Sequence, residues 1–391
     1  MYDVALVLGR HIHEPFLEGG GKITYLVAKA LSEIGIQTYL IKVNYSLPEE
    51  GFYIIKTKAI LSDKLSELEL RTGLLSQNDV LHKIHGIVGS NLIELVASPL
   101  AVAKLVKKME VMNNNKNIYV FIGNSSKLGG FLINNFFRFL SKNSVKILAI
   151  YRREEIFKYT TRILKPKLIF TTSNELLIIT NKILNNIIEK IKSSYPPILP
   201  SEFPTQLYAR KLPIILYMGR ISNQRFPLNT LKQIIINLKK TSKDASLMIV
   251  SPPESVSLNW LKTAKELVSK LDARNRVIFI FKTLENREKQ KILTNASVFI
   301  FPAKSVVAVE PPLSVLESLV YGLYLITTGG NSTKELVNSG AGHIVRNFEK
   351  IDFDEYLTLS YKLSYKISEW AKETFMFTKL VNSLKDLLNI N

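Results

Sequence analysis

The chain contains no cysteine, which excludes a disulfide framework, a thiolate metal site, an iron–sulfur cluster and a cysteine nucleophile. Long apolar runs are also missing. The longest stretch free of charged residues, Ser318–Thr333, is too short to span a bilayer and holds three glycines. At the N-terminus, MYDVALVLGR sets an acid before a short apolar run with no basic region, so no signal peptide is readable. Acidic residues are few: 33 Asp+Glu face 52 Lys+Arg, a net charge of +19. Hydrophobic residues at 46% and charged residues at 22% exclude a mainly disordered chain. The expectation is a cytoplasmic protein whose large positive charge needs a reason. At roughly 100–200 residues per domain, 391 residues suffice for two domains or three.

The charge is unevenly placed. Residues 101–170 hold 14 basic and 3 acidic residues (+11), whereas residues 1–200 as a whole carry 26 and 16 (+10). Such a segment attracts phosphates, whether of nucleic acid, anionic lipid or a phosphorylated small molecule, unless it is only a solvated lysine-rich face. Within it, Lys127–Leu140 interleaves basic residues with Phe131, Phe136, Phe137 and Phe139. An amphipathic stretch of this kind suits an anionic membrane surface, but the same spacing also makes the core stripe of an ordinary helix. No helix-turn-helix, zinc or RNP-type signature supports nucleic-acid binding.

Short apolar runs alternate with amphipathic stretches. Strands are predicted at Val4–Leu8, Thr38–Val43, Ile118–Ile122, Val145–Ile150 and Lys167–Thr171, with a helix over Ile23–Ile34. Four prolines within Tyr195–Pro204 mark a linker. Beyond it the rhythm restarts, with strands predicted at Pro213–Met218, Ser246–Val250, Arg276–Phe281, Ser297–Phe301 and Leu323–Thr327. Helices are predicted over Leu228–Lys239, Leu258–Leu271, Arg287–Leu293 and Ser314–Tyr321. Continuous apolar strands separated by helices imply an α/β protein of two Rossmann-like, doubly wound domains facing across a cleft.

Three segments carry chemistry. Gly19-Gly20-Gly21-Lys22 lies between the first strand and the first helix, where a glycine turn admits a ligand and a helix N-terminus offers N–H groups to an anion. It is neither a Walker loop, because Ile23 stands where Ser or Thr is needed, nor a dinucleotide fingerprint, because Thr24 replaces Gly or Ala. The plain alternative is a turn with no ligand. Gly219-Arg220 and Arg225 follow the first strand after the linker. Two guanidinium forks five residues apart can converge on a diphosphate, or be two surface arginines. Glu310-Pro311-Pro312-Leu313-Ser314 leads into a helix containing Glu317. Ser314 and Glu317 have capping-box spacing, which would make Glu317 structural; otherwise Glu310 and Glu317 both face the cleft and accept sugar hydroxyls. Asp352-Phe353-Asp354 has Asp-x-Asp form but is read as a surface segment past the sheet, so no metal is expected. His11, His13 and His85 are candidate acceptor contacts, although a lone histidine is more often structural.

Together these residues resemble the retaining nucleotide-sugar glycosyltransferases of the GT-B fold, specifically the large family 4 (glycosyl transferases group 1). The resemblance is best over Leu216–Val345 and extends to Trp370–Leu388. Gly219, Arg220 and Arg225 match the family's Gly-Arg and following basic residue, and Glu310, Glu317 and Gly322 its paired glutamates and helix-ending glycine turn. Thr328-Gly329-Gly330 with Glu335, then Gly340-Ala341-Gly342, look like its glycine-rich turn and the loop after it. Gly19–Gly21 match its first loop, and Thr172-Ser173-Asn174 the end of its last N-domain strand. The chain also departs from the family. Six residues, not seven, separate the two glutamates; Ser251-Pro252-Pro253 replaces a glycine pair; Tyr151-Arg152-Arg153 stands where a histidine is common.

The resemblance implies an acceptor-binding domain over 1–195, a donor-binding domain over 205–370 and a terminal helix, 371–391, returning to the first. It implies transfer, with retention, from a nucleoside-diphosphate sugar to a hydroxyl acceptor such as a lipid-linked glycan on the inner face of a membrane. No cofactor, metal or nucleic acid is called for. Arg220, Arg225 and Glu310 would be catalytic. Gly19, Gly20, Gly21, Gly219, Pro311, Pro312, Leu313 and Glu317 would join them around the donor, with Glu317 on ribose hydroxyls and Glu310 on the sugar. The rival readings are a non-catalytic sugar- or nucleotide-binding protein of the same fold and a nucleic-acid-binding protein.

Overall fold

The computed structural model describes residues 4–9, 19–45, 53–62, 65–72, 117–122, 144–153, 168–184, 188–204, 212–242, 244–303 and 309–390. The chain forms two compact units, one from Met1–Pro197 with Phe377–Asn391 and the other from Ile198–Met376. His11, His13, His85 and Lys127–Leu140 lie outside the described residues. Among the described residues no helix is long and apolar enough to cross a membrane.

The first unit is built on β1 (Val4–Gly9), β2 (Gln37–Tyr45), β3 (Tyr53–Ser62), β4 (Leu65–Thr72), β5 (Ile118–Ile122), β6 (Ser144–Ile150), β7 (Leu168–Thr171) and β8 (Lys190–Ser193). They form one sheet in the order β3-β4-β2-β1-β5-β6-β7-β8. Every neighbouring pair is parallel except β3 with β4. Ile147–Ile150 and Leu168–Thr171 are buried throughout, as strands covered on both faces must be.

Helix α1 (Gly19–Glu33) packs on β1 and β2 through Ile23, Leu26, Val27, Ala30 and Leu31. Its start corrects the sequence reading. Gly19–Gly21 are not a turn before the helix but its first turn, and Gly20 and Gly21 are buried. Side-chain-free backbone lets that helix end sit in the interior, and the Thr24 hydroxyl donates to the Gly20 carbonyl at 2.8 Å. The same hydroxyl meets that of Tyr151 at 3.2 Å, tying α1 to the end of β6. A helix over Phe377–Leu388 returns to this unit and packs on α1 and β8. Leu380, Leu384 and Leu387 recur at helical spacing and are fully buried. The Lys29 ammonium lies 5.4 Å from the Phe377 ring centre, and Ser383 donates to the Ser193 carbonyl at 3.0 Å.

The second unit is built on β9 (Ile214–Met218), β10 (Ser246–Ser251), β11 (Val277–Phe281), β12 (Val298–Phe301), β13 (Tyr324–Thr327) and β14 (Gly342–Ile344). All pair in parallel in the order β11-β10-β9-β12-β13-β14, so the winding reverses between β9 and β12. Between them run helices Leu228–Leu238, Leu258–Lys270, Asn286–Asn295 and Leu313–Val320.

One further long helix, Phe353–Thr374, packs on β12, β13 and helix Leu313–Val320. It begins at Asp352-Phe353-Asp354, which lies past the sheet with Asp352 exposed and Asp354 half-buried, as expected of a surface segment. Asp352 is the helix N-cap, its carboxylate accepting from the backbone N–H of Asp354 at 2.9 Å and of Glu355 at 3.3 Å. Asp354 accepts from the Ser242 N–H at 2.6 Å. Both carboxylates therefore have backbone partners.

Candidate functional site

In an open parallel sheet, ligands bind beyond the carboxyl ends of the strands where the order reverses. In the second unit β9 and β12 meet through Ile215–Val298 and Leu216–Phe299, so Gly219 and Pro302 leave the sheet side by side. The loop after β9 is anchored at both ends. Gly219 donates to the Val250 carbonyl at 3.0 Å, and the buried Tyr217 hydroxyl donates to the Arg220 carbonyl at 2.6 Å. Phe226 is fully buried, its ring 4.4 Å from that of Tyr217, and its carbonyl accepts from Trp260 Nε1 at 3.1 Å. Arg220 is exposed on this loop and Arg225 is half-buried. Burial pushes the Tyr217 phenol well above its ordinary pKa, and the Arg225 guanidinium pulls it partly back. Beside the loop opens a cavity of about 390 Å³ lined by Ile221, Ser222, Asn223, Glu254, Ser257 and Trp260.

Glu310 is only 4% exposed, and its Oε2 accepts from the Ser332 hydroxyl at 3.3 Å. Ser332 belongs to the turn after β13, where Asn331 and Ser332 have φ of 56° and 58°. Side-chain bonds hold that uncommon backbone: Asn331 Nδ2 donates to the Ala303 carbonyl at 3.1 Å, and Thr327 and Thr333 join their hydroxyls at 2.9 Å. The glycine turn legible in the sequence thus supports a carboxylate.

Glu317 does not close a capping box. Pro311 and Pro312 set the helix start early: Pro312 is the N-cap of Leu313–Val320, without a side-chain cap, and Ser314 lies inside the first turn. Glu317 instead accepts from Lys289 Nζ at 2.9 Å, with side chains 10% and 22% exposed. Burial alone would lower the Lys289 pKa, but the Glu317 carboxylate and, beyond it, Glu202 outweigh burial and raise it. One turn on, Tyr321 is pushed up to about 12 by burial, then by Glu317 and Glu202.

Residues 201–373 match the family described as glycosyl transferases group 1. The second unit is a group 1 glycosyltransferase domain. Solved structures resembling the chain cover both units. A glycosyltransferase from Rickettsia africae ESF-5 is 16% identical, with a TM-score of 0.65 over 100% of this chain and 99% of its own. The E. coli trehalose-6-phosphate protein bound with UDP-2-fluoro glucose is 10% identical, with a TM-score of 0.70 over 100% and 99%. A Burkholderia xenovorans trehalose-phosphate synthase in complex with glucose-6-phosphate is 10% identical, with a TM-score of 0.64 over 99% and 100%. At these identities the likeness is one of fold, and the fold is GT-B. None of the curated proteins matches the chain.

The group 1 domain carries Gly219, Arg220, Arg225, Glu310, Pro311, Pro312, Leu313 and Glu317; Gly19–Gly21 lie in the first unit. Two of the group 1 domain's polar residues escape the sequence reading. Ser332 had a signal, since it closes the Gly329-Gly330 turn. Lys289 had none: it stands in the charged run Asn286–Lys291, which reads as a solvated face, and its partner is 28 residues away. In the first unit, Tyr151 is buried and Arg153 pairs with Glu175 of helix Asn174–Leu184, which Ser173 caps at 3.1 Å.

Proposed function

We propose that the chain is a glycosyltransferase that moves a sugar, with retention, from a nucleoside-diphosphate sugar to a hydroxyl acceptor, without a metal ion. One observation supports this most: a nearly buried carboxylate, Glu310, at the ligand-binding end of a sheet whose neighbouring loop carries Arg220 and Arg225. The Ser332 hydroxyl holds one Glu310 oxygen in place, and a carboxylate has about four lone-pair sites with which to accept sugar hydroxyls as well. In this reading Arg220 and Arg225 hold the diphosphate and offset the charge that develops as it leaves. Glu310 accepts donor-sugar hydroxyls and Glu317 ribose hydroxyls.

The acceptor is proposed to carry phosphate, as a sugar phosphate or a lipid-phosphate-linked glycan, because the chain is strongly basic. The relative crystallised with glucose-6-phosphate is consistent with that class. The test is release of nucleoside diphosphate from UDP-, GDP- and ADP-sugars, with and without EDTA. Slow donor hydrolysis that persists in EDTA is expected. No release and no binding with any donor defeats the reading; loss in EDTA restored by Mg²⁺ or Mn²⁺ defeats its metal-free part.

A further inference from the structure

Lys289 and Glu317 come from different helices but from the same end of them. Lys289 is the fourth residue of Asn286–Asn295, and Glu317 the fifth of Leu313–Val320. Helices that follow parallel strands start at the strands' carboxyl ends, so this pair lies at the edge of the sheet that also bears Arg220, Arg225 and Glu310. A second element buttresses it. Gln290, next to Lys289, donates to the Ser201 carbonyl at 3.1 Å, and Glu202 of that segment accepts from the Leu199 N–H at 3.0 Å while its charge acts on Lys289. Lys289 thus faces the Glu317 carboxylate, with the charge of Glu202 acting on it as well.

Desolvating such a pair offsets much of its attraction, so an apolar pair of similar size would serve stability equally well or better. The ammonium instead does something an apolar side chain cannot. It fixes where the Glu317 carboxylate points. A carboxylate has about four lone-pair sites, so one ammonium bond leaves room for a hydroxyl.

We infer that Lys289 is a positioning residue of the donor site, holding the Glu317 carboxylate in the orientation in which it accepts the ribose hydroxyls of a nucleoside diphosphate. This rests on the donor-binding reading given above. Lys289 itself touches Glu317 and need not touch the ligand.

The experiment separates the ribose from the rest of the nucleotide. Affinities of the full chain for UDP, GDP and ADP, and for their 2′,3′-dideoxy counterparts, are measured by calorimetry in wild type, Lys289→Met and Lys289→Arg. Wild type is expected to prefer one ribonucleotide over its dideoxy counterpart. In Lys289→Met that ribonucleotide should weaken by roughly tenfold or more while the dideoxy counterpart changes little, so the preference collapses. Lys289→Arg keeps a cation at the position and should retain most of the preference. A preference unchanged in Lys289→Met, or a loss equal for both probes, overturns the inference and leaves a structural ion pair. A wild type that binds nucleotides without preferring ribose overturns it too, with the donor reading intact. A wild type that binds none removes the donor reading and the inference with it.

Discussion

Single residues of the site differ in what holds them. The Arg220 side chain is exposed, while its carbonyl is fixed by the buried Tyr217 hydroxyl, so truncating the side chain leaves the loop in place. Arg220→Ala is therefore expected to lower kcat/KM for transfer by about 10²–10³-fold, the usual effect of losing one preorganised donor to a developing charge. The melting temperature should stay unchanged. Normal transfer by a folded variant would remove Arg220 from the site. Arg220 and Arg225 were legible because both sit in one short loop behind a predicted strand. Glu317 was half legible: its capping-box spacing with Ser314 suggested a helix cap, and only the early start at Pro312 shows that the spacing is incidental. Lys289 was not legible, because a pair of charges far apart in sequence leaves no local pattern.

Elements are set by how closely their ends approach. Gly322 ends helix Leu313–Val320 with φ +69°, and a Cβ there would fall 2.3 Å from the Ser364 carbonyl oxygen of helix Phe353–Thr374. Gly340 has φ +89° but nothing within 4 Å. Gly322→Ala should therefore destabilise by about 1–3 kcal/mol from crowding, in addition to the roughly 1 kcal/mol of left-handed strain that Gly340→Ala alone incurs. Urea midpoints of the two variants check this, and equal midpoints would mean the helix does not press on that turn. The tightly packed partner was itself hard to foresee. Ile118–Ile122 coincides with its predicted span because five apolar residues in a row can only be interior. Phe353–Thr374 buries Ser360 and Ser368 as well as Phe353, Leu357 and Ile367, and serines on the inner face blur the apolar stripe. Those serines donate to the carbonyls of Ser297 and Val320, partners that no local pattern reveals.

For the molecule as a whole, ligand binding and charge give two more expectations. A nucleoside diphosphate at 100 times its Kd should stabilise the folded chain by about 2.7 kcal/mol, read as a rise in melting temperature with one member of a UDP, GDP and ADP panel. No rise with any of them argues against a donor site. The +11 segment 101–170 should give salt-sensitive association with anionic vesicles, each basic residue near the surface contributing about 1 kcal/mol. Co-sedimentation at low and high salt tests it, with Lys104, Lys107 and Lys108 changed to Glu; equal, poor sedimentation of both proteins at low salt would favour a soluble acceptor. The returning helix Phe377–Leu388 also bears on how the protein is made. Ile198–Met376 is inserted into the first unit, so during translation α1 and β8 emerge early and wait for their covering helix until the whole group 1 domain has left the ribosome. At 5–20 residues per second that delay is on the order of 10–40 s, during which the inserted domain can finish folding while its host stays open to chaperones.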